Sequence, residues 1–554
     1  MAFYLSLFLL VASLPSIFAQ DAVDTTVVVN GAATIAETDD NFICATIDWW
    51  PHDKCNYNQC PWGYTSAINL DLSHPFLAKA ILAFKHLRIR IGGSLQDQVL
   101  YDVGNLKIPC HPFQKAKHGL FGFSHGCLHM DLWDSLNRFF SKTGALVTFG
   151  LNALHGRHRI GNGPWGGDWD SINARDLMEY TISKGYQIDS WEFGNELSGS
   201  GVGARVEANQ YGKDLIRLKA IINELYEKFD NKPSLLAPGG FYTQDWYTKL
   251  LWASGSSVIN VVTHHIYNLG PGDDPNLVNK ILDPNYLSQI TQTFSDLKQT
   301  LKTHGPWASA WVGESGGAYN SGGRLVSDTF VDSFWYLDQL GMSSKYGTKV
   351  YCRQTLIGGN YGLLNTTTFV PNPDYYRQEC YYFLKNYCHI IALLWHRLMG
   401  KSVFSVEGDS SSFLRTYAHC TKGREGVTLL LINFSKQTEF RINVKNGMNI
   451  NVLVDYDIIY KGSSFMHSSK RAVSWVGSKA SDGPLHREEY HLTPKDGYIR
   501  SQTMVLNGKL LEVSDNGDIP TLEPQLVNVN LPISMAPLSM AFVVMPHFDA
   551  TACK

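Results

Sequence analysis

The stretch Ser190-Trp191-Glu192-Phe193-Gly194-Asn195-Glu196 decides the architecture. A short apolar run ends in a small residue and then a carboxylate, and Trp311-Val312-Gly313-Glu314-Ser315 repeats the arrangement. A barrel strand hands an acid to the rim of a cavity in this way, because its carboxyl end opens into the loops above the barrel.

Working outward, apolar β-rich runs recur at Ile43 to Ile47, Leu87 to Ile91, Leu146 to Leu151, Ser190 to Phe193, Ser234 to Ala237, Val258 to Thr263, Ala308 to Val312 and Val350 to Leu356. Helical periodicity lies between many of them. It is clearest over Tyr211 to Phe229, where Leu215, Leu218, Ile222 and Leu225 share one face. Continuous apolar strands alternating with helices indicate a parallel sheet covered on both faces, and this many units predict an α/β fold of the (β/α)8 TIM-barrel type. The barrel is expected over residues 43–398. Beyond it, Val427 to Phe434, Phe440 to Val444, Asn451 to Tyr460, Met504 to Leu506 and Met540 to Met545 read as short strands between Gly, Asn, Asp and Pro turns. That pattern predicts an antiparallel β-sandwich domain over 399–554. Thr25 to Val29, within 20–42, is expected to join that sandwich as an extra strand.

The chain has 554 residues, enough for two domains, and a formal net charge of −3. Without a global basic field, nucleic acid is a poor partner. The 14 Trp and 27 Tyr suit sugar stacking, although many must serve the core. Residues 1–19 read as a secretory signal peptide, apolar from Phe3 to Phe18 with Ala19 as the cleavage residue, and no later segment is long and apolar enough to span a membrane. The expected destination is extracellular, in the cell wall or in a vacuole- or lysosome-type compartment. Ten cysteines fit an oxidising compartment, with Cys55 near Cys60 and Cys110 near Cys127, and the pairing is left open. Asn365-Thr366-Thr367 and Asn433-Phe434-Ser435 are sequons for glycosylation at Asn365 and Asn433.

The polar groups closing the runs are Asp48, Ser94 with Asp97, Asn152, Asn195 with Glu196, His264 with His265 and Tyr267, and Glu314. Loops begin there, so any one of them has a bland explanation. Asn-Glu and Gly-Glu directly after bulky apolar runs do not. Glu196 closes the fourth run and Glu314 the seventh, which face one another across a barrel lumen. Two carboxylates there, roughly 5–5.5 Å apart, suit retaining glycosidic cleavage, in which one donates a proton and the other attacks. Like charge and partial burial then raise one of the two pKa values. Asn195 is placed to hydrogen-bond a sugar 2-hydroxyl. No cofactor or metal is expected. His264 and His265 are adjacent on a strand and point to opposite faces. The cluster Cys110, His111, His118, His125, Cys127 and His129 reads as a disulfide with surface histidines rather than zinc. Gly161 to Asp168, with Trp165 and Trp169, is either a sugar-stacking rim or an ordinary loop.

Further segments extend the pattern: Thr46-Ile47-Asp48, Leu87-Arg88-Ile89-Arg90-Ile91-Gly92-Gly93-Ser94, Gly150-Leu151-Asn152-Ala153-Leu154, His264-His265-Ile266-Tyr267, Gly313-Glu314-Ser315-Gly316-Gly317-Ala318-Tyr319 and Pro373-Asp374-Tyr375-Tyr376. With Trp-Glu-Phe-Gly-Asn-Glu they resemble glycoside hydrolase family 79 and its plant heparanase-like branch. The resemblance implies a retaining β-glucuronidase type of activity, with Glu196 as acid/base and Glu314 as nucleophile. It implies that Asp48, Ser94, Asn195, Tyr319 and Tyr375 line the sugar subsite; Tyr267 is placed with them. It further implies recognition of the substrate carboxylate by Tyr hydroxyls and by backbone N–H groups of the loop Ala318 to Gly323. The implied partner is a glucuronic-acid-containing polysaccharide or proteoglycan. The stretch between Asp97 and Trp133 carries scattered Lys115, Lys117 and His118 rather than the dense basic clusters of animal heparanase, which disfavours heparan sulfate; the resemblance implies glucuronic acid on cell-wall arabinogalactan instead. The sequence departs from the family at Arg377 to Ile391, an intervening segment carrying Cys380 and Cys388 beside Tyr375. It keeps two alternatives open: a catalytically impaired glycan-binding protein on the same scaffold, and a retaining hydrolase for another sugar such as arabinose.

Overall fold

The computed structural model describes residues 22–374, 391–408, 411–447, 485–511 and 521–554. The signal segment, the strand expected at Asn451 to Tyr460, Tyr375 and all of Arg377 to Ile391 except its last residue lie outside the described residues.

Eight parallel strands close into a barrel: Ile43–Ile47, Arg88–Ile91, Leu146–Leu151, Ser190–Phe193, Ser234–Phe241, Val261–Ile266, Ser309–Ser315 and Val350–Arg353. Each pairs with its neighbour in chain order, and the eighth pairs with the first through Tyr351 beside Ile43 and Arg353 beside Ala45. Cys44 and Cys352 form a disulfide across that seam. The strands are mostly apolar because both faces are covered, the inner by other strands' side chains and the outer by helices. The clearest helix runs Ala208–Leu225, starting earlier and ending earlier than its periodicity suggested, with Leu215, Leu218 and Ile222 buried. It stops well short of Pro233, which cannot continue a helix.

The second unit is one eleven-stranded sheet. The first strand of the described residues, Ala22–Glu37, lies inside it, antiparallel to Met399–Gly408 on one side and parallel to Glu439–Asn446 on the other. The sheet is therefore not purely antiparallel as expected. Its central strand, Val427–Asn433, is buried on both faces. Val427, Leu429 and Leu431 point into the sheet's own core with Val27, Val29, Ala541 and Val543, whereas Leu430 and Ile432 join the barrel's core. Between sheet and barrel lies the helix Asp332–Lys345, almost wholly buried. Tyr417 from the sheet donates to Asp338 of this helix at 2.6 Å, and Arg415 pairs with the same carboxylate at 3.3 Å. These contacts fix the barrel against the sheet.

Among the described residues no helix is long and apolar enough to cross a membrane. The Cys55–Cys60 and Cys110–Cys127 disulfides form locally, and Cys420 pairs with Cys553. Asn433 corrects the sequence reading. Its side chain is fully buried and donates to the carbonyls of Thr438, Met535 and Ala536 while accepting from Ser435 N–H, so it has neither space nor a free amide for a glycan. Asn365 lies in a half-buried turn, where its oxygen accepts from Thr367 and Thr368.

Candidate active site

Glu196 and Glu314 meet above the carboxyl ends of the fourth and seventh strands. An oxygen of each and a ring nitrogen of His265 all lie within 4.8 Å of one another. Both residues are buried, at 7% and 6% exposure.

The local chain makes this placement. Gly194 turns the chain sharply at φ 70, where a Cβ would strike the Tyr211 hydroxyl at 2.5 Å, so only glycine fits. Glu196 itself adopts a left-handed φ of 55, which L side chains disfavour. Two backbone hydrogen bonds hold it there: its N–H donates to Gly239 O at 2.6 Å, and its carbonyl accepts from Val202 N–H at 3.0 Å. Asn195 is fixed from below, where Asp97 accepts its backbone N–H at 2.8 Å and that of Ala153 at 2.7 Å.

Arg90 joins the parts. Its Nε donates to Glu192 at 2.5 Å, Nη1 to Glu314 at 2.8 Å and Nη2 to the side-chain oxygen of Asn195 at 2.9 Å. Glu314 accepts a second bond, from the Tyr267 hydroxyl at 2.6 Å. Such charge-assisted bonds fix an anionic carboxylate in place and orientation. Glu196 has a different environment. Burial pushes its pKa up to about 7, only partly offset by the Arg90 charge. Its partner is the Nδ1 of His265 at 3.0 Å, and burial holds that imidazole down at about 4, hence neutral. One carboxyl is thus poised to carry a proton while the other is clamped by cationic and phenolic donors.

Asp48 forms the wall. Burial, then the Glu314 charge, raise it to about 7, while Gln354 donates to it at 3.0 Å and Trp49 N–H at 2.6 Å. Thr46 holds the other end of Gln354. Gly93, at φ 107, passes so close that a Cβ would sit 2.4 Å from Asp48 Oδ2. Tyr361 completes the floor, its ring against Gly316 and edge-on to Trp62 at 6.2 Å.

Of the residues singled out from the sequence, Asp48, Asn195, Glu196, Tyr267 and Glu314 converge. Ser94 is half-buried beside Gly93, and Tyr319 stands 43% exposed at the edge. Trp165 is half-buried beside a cavity of about 490 Å³ shared with Asp97, His118, His125 and Arg157. Trp169 belongs to no rim: it is buried and donates to Asn152 O at 2.9 Å. His264 and His265 do point to opposite faces, His264 against the ring of Phe294. Glu196, His265 and Glu314 have the spacing of a metal-ligand set, but the Arg90 guanidinium already occupies Glu314 and opposes a cation there. At the other such cluster Cys110 is committed to its disulfide with Cys127. Sequence reasoning missed Arg90, Glu192, Gln354 and Tyr361 as site residues. The signal for the first two was a charge inside an otherwise apolar barrel strand, where the inward register leaves it no solvent.

Residues 24–341 match the N-terminal domain of glycosyl hydrolase family 79. Heparanase-like protein 1 of Arabidopsis thaliana is 64% identical over 97% of this chain and 96% of its own length. Baicalin-beta-D-glucuronidase of Scutellaria baicalensis is 37% identical over 94% and 92%. The fold is shared with a GH51 arabinofuranosidase from Xanthomonas axonopodis pv. citri, at TM-score 0.61 and 13% identity over 94% of this chain and 100% of that one.

Proposed function

The chain belongs to glycosyl hydrolase family 79 and is a glucuronidase-type glycosidase, and from that premise we propose that it is a secreted retaining enzyme releasing β-linked glucuronic acid from extracellular or cell-wall glycans. Glu314 attacks the anomeric carbon while Glu196 protonates the departing oxygen. In the second step Glu196 takes a proton from water, which displaces Glu314 from the glycosyl-enzyme. The observation that carries this reading is the pair of unlike carboxyl environments with an oxygen of each within 4.8 Å, short of the roughly 6.5–9.5 Å that inverting enzymes keep for a water. Burial gives Glu196 a proton to donate near pH 7, and the Arg90 and Tyr267 donors aim Glu314. Asn195, tied to Arg90, is the donor for the sugar 2-hydroxyl, and Asp48 accepts from ring hydroxyls. Tyr319 and the loop to Gly323 meet the sugar carboxylate.

Arabinogalactan-type glucuronosyl groups are the favoured substrate, and the apolar leader Met1 to Ala19 supports export to the extracellular space, the wall or a vacuole-type compartment. A panel of aryl β-glycosides tests the proposal. Wild type should prefer the β-glucuronide, and Glu314→Gln should lower its turnover by at least about a thousandfold. Normal turnover by that variant refutes the role of Glu314. Preference for an arabinoside refutes the sugar, and glycan binding without any hydrolysis refutes the activity.

A further inference from the structure

A uronate must bring a negative charge into a site already holding Asp48, Glu192, Glu196 and Glu314. The single charge of Arg90 is already set against two carboxylates, Glu192 and Glu314. Tyrosine hydroxyls and backbone N–H groups fix where a carboxylate sits but carry no net charge.

A lysine on a loop fastened to the site is a candidate source of that charge. Lys54 follows the first barrel strand, six residues beyond Asp48. Its ammonium lies 4.2 Å from the centroid of the Trp50 ring. Among the described residues it takes part in no ion pair, and the adjacent Asp53 is engaged by Lys115 at 3.3 Å. Burial lowers the Lys54 pKa, and the Asp48 charge partly offsets this.

The loop carrying Lys54 is built to hold it there. Lys54 N–H donates to Pro51 O at 3.0 Å, and the Cys55–Cys60 disulfide closes the turn that follows. That turn is fastened to the loop after the nucleophile. Asn320 donates to the Tyr57 hydroxyl at 3.1 Å, Ser321 to Asn56 at 2.9 Å, and Trp62 to Ser321 at 2.9 Å. The turn that follows Lys54 is therefore tied to the same Ala318 to Gly323 loop that the proposed function sets against the sugar carboxylate.

We propose that Lys54 is a specificity-determining residue that supplies the positive charge for the substrate's carboxylate, so that a glucuronide is accepted over the neutral glucoside. This deepens the glucuronidase reading and rests on it. Trp50 holds the alkyl stem by cation–π and apolar contact, and the ammonium is left to pair with the anion.

The test compares aryl β-glucuronide and aryl β-glucoside on wild type, Lys54→Met, Lys54→Gln and Lys54→Arg. Methionine keeps a stem over Trp50 and removes the charge. Lys54→Met and Lys54→Gln should raise KM for the glucuronide about tenfold, the order expected for one half-buried charge pair, with kcat nearly unchanged. Glucoside hydrolysis should stay as it was, Lys54→Arg should restore most of the loss, and added salt should raise KM in wild type more than in the methionine variant. An unchanged glucuronide KM in both neutral variants overturns the role of Lys54 and leaves the glucuronidase reading intact. An equal rise for the glucoside also overturns it, since that marks lost packing. If wild type ignores the glucuronide, the underlying reading fails and this inference falls with it.

Discussion

Replacing Arg90 by methionine tests whether the site is organised around one buried cation. The Arg90 side chain is 1% exposed, and its two carboxylate partners, Glu192 and Glu314, are 0% and 8% exposed. Arg90→Met keeps most of the volume but strands both acids. Breaking a buried pair by removing one partner costs about 3–5 kcal/mol. A stranded carboxyl escapes part of that cost by taking up a proton, so its folded pKa rises above its unfolded one. Such a group binds protons in the fold that the unfolded chain has released, and its stability is lost as pH rises above the unfolded value. The deficit should therefore be small near pH 4.5 and approach the full figure by pH 7.5. Urea unfolding of wild type and Arg90→Met across this range reads it directly. Adding Glu192→Gln should recover at least about 1 kcal/mol at the upper end, because one of the two buried charges is gone. A deficit below about 1 kcal/mol, or one equal at both ends of the range, refutes the buried-charge account.

Other perturbations probe different parts. The rate of glucuronide hydrolysis should fall as pH rises through about 7, where Glu196 gives up the proton it must donate; a flat profile there, measured with an unactivated leaving group, removes Glu196 from that role. Glu196→Gln should be inactive on such substrates yet more stable than wild type at neutral pH. The folded pKa is raised from 4.5 to about 7, so the ionised wild type loses stability across that window, by up to about 3 kcal/mol; denaturation midpoints that do not diverge with pH contradict it. Gly93→Ala places a methyl 2.4 Å from Asp48 at a left-handed φ, and should cost about 2–4 kcal/mol and at least about tenfold in kcat/KM; retained activity would show that Asp48 can move freely.

Much of the barrel was legible because its strands are buried on both faces and so spell themselves as apolar runs. Ile43–Ile47, Leu146–Leu151 and Ser190–Phe193 begin and end where the sequence put them. The fifth strand runs on to Phe241, past Pro238, Gly239 and Gly240, residues that ordinarily end a strand. The sixth starts at Val261 rather than Val258, and Asn260 just before it uses its side-chain oxygen to accept Leu235 N–H and Lys219. Glu196 and Glu314 were visible as acids after glycine or asparagine. Arg90 and Glu192 were not, because a periodicity reading scores them as interruptions of a strand, whereas their register points them inward at each other. Tyr361 lies in a loop, where sequence alone sets no direction for a side chain. Asn433 shows the converse: a three-residue motif carries no information about burial.

The strand Ala22–Glu37 gives the molecule a long wait during its manufacture. Glu37 pairs with Ser402 and Ala22 with Glu439, separations of 365 residues (402 − 37) and 417 residues (439 − 22). At roughly 5–20 residues per second, the ribosome needs on the order of 20–80 s to supply those partners. Through that interval Val27 and Val29, buried to 1% and 0% in the finished protein, have no sheet to enter. The barrel strands, each adjacent to the one made just before it, can assemble as they emerge. This early strand is thus among the last elements to settle, and a truncation anywhere before Met399 would leave it an unpaired edge strand at the other end of the polypeptide.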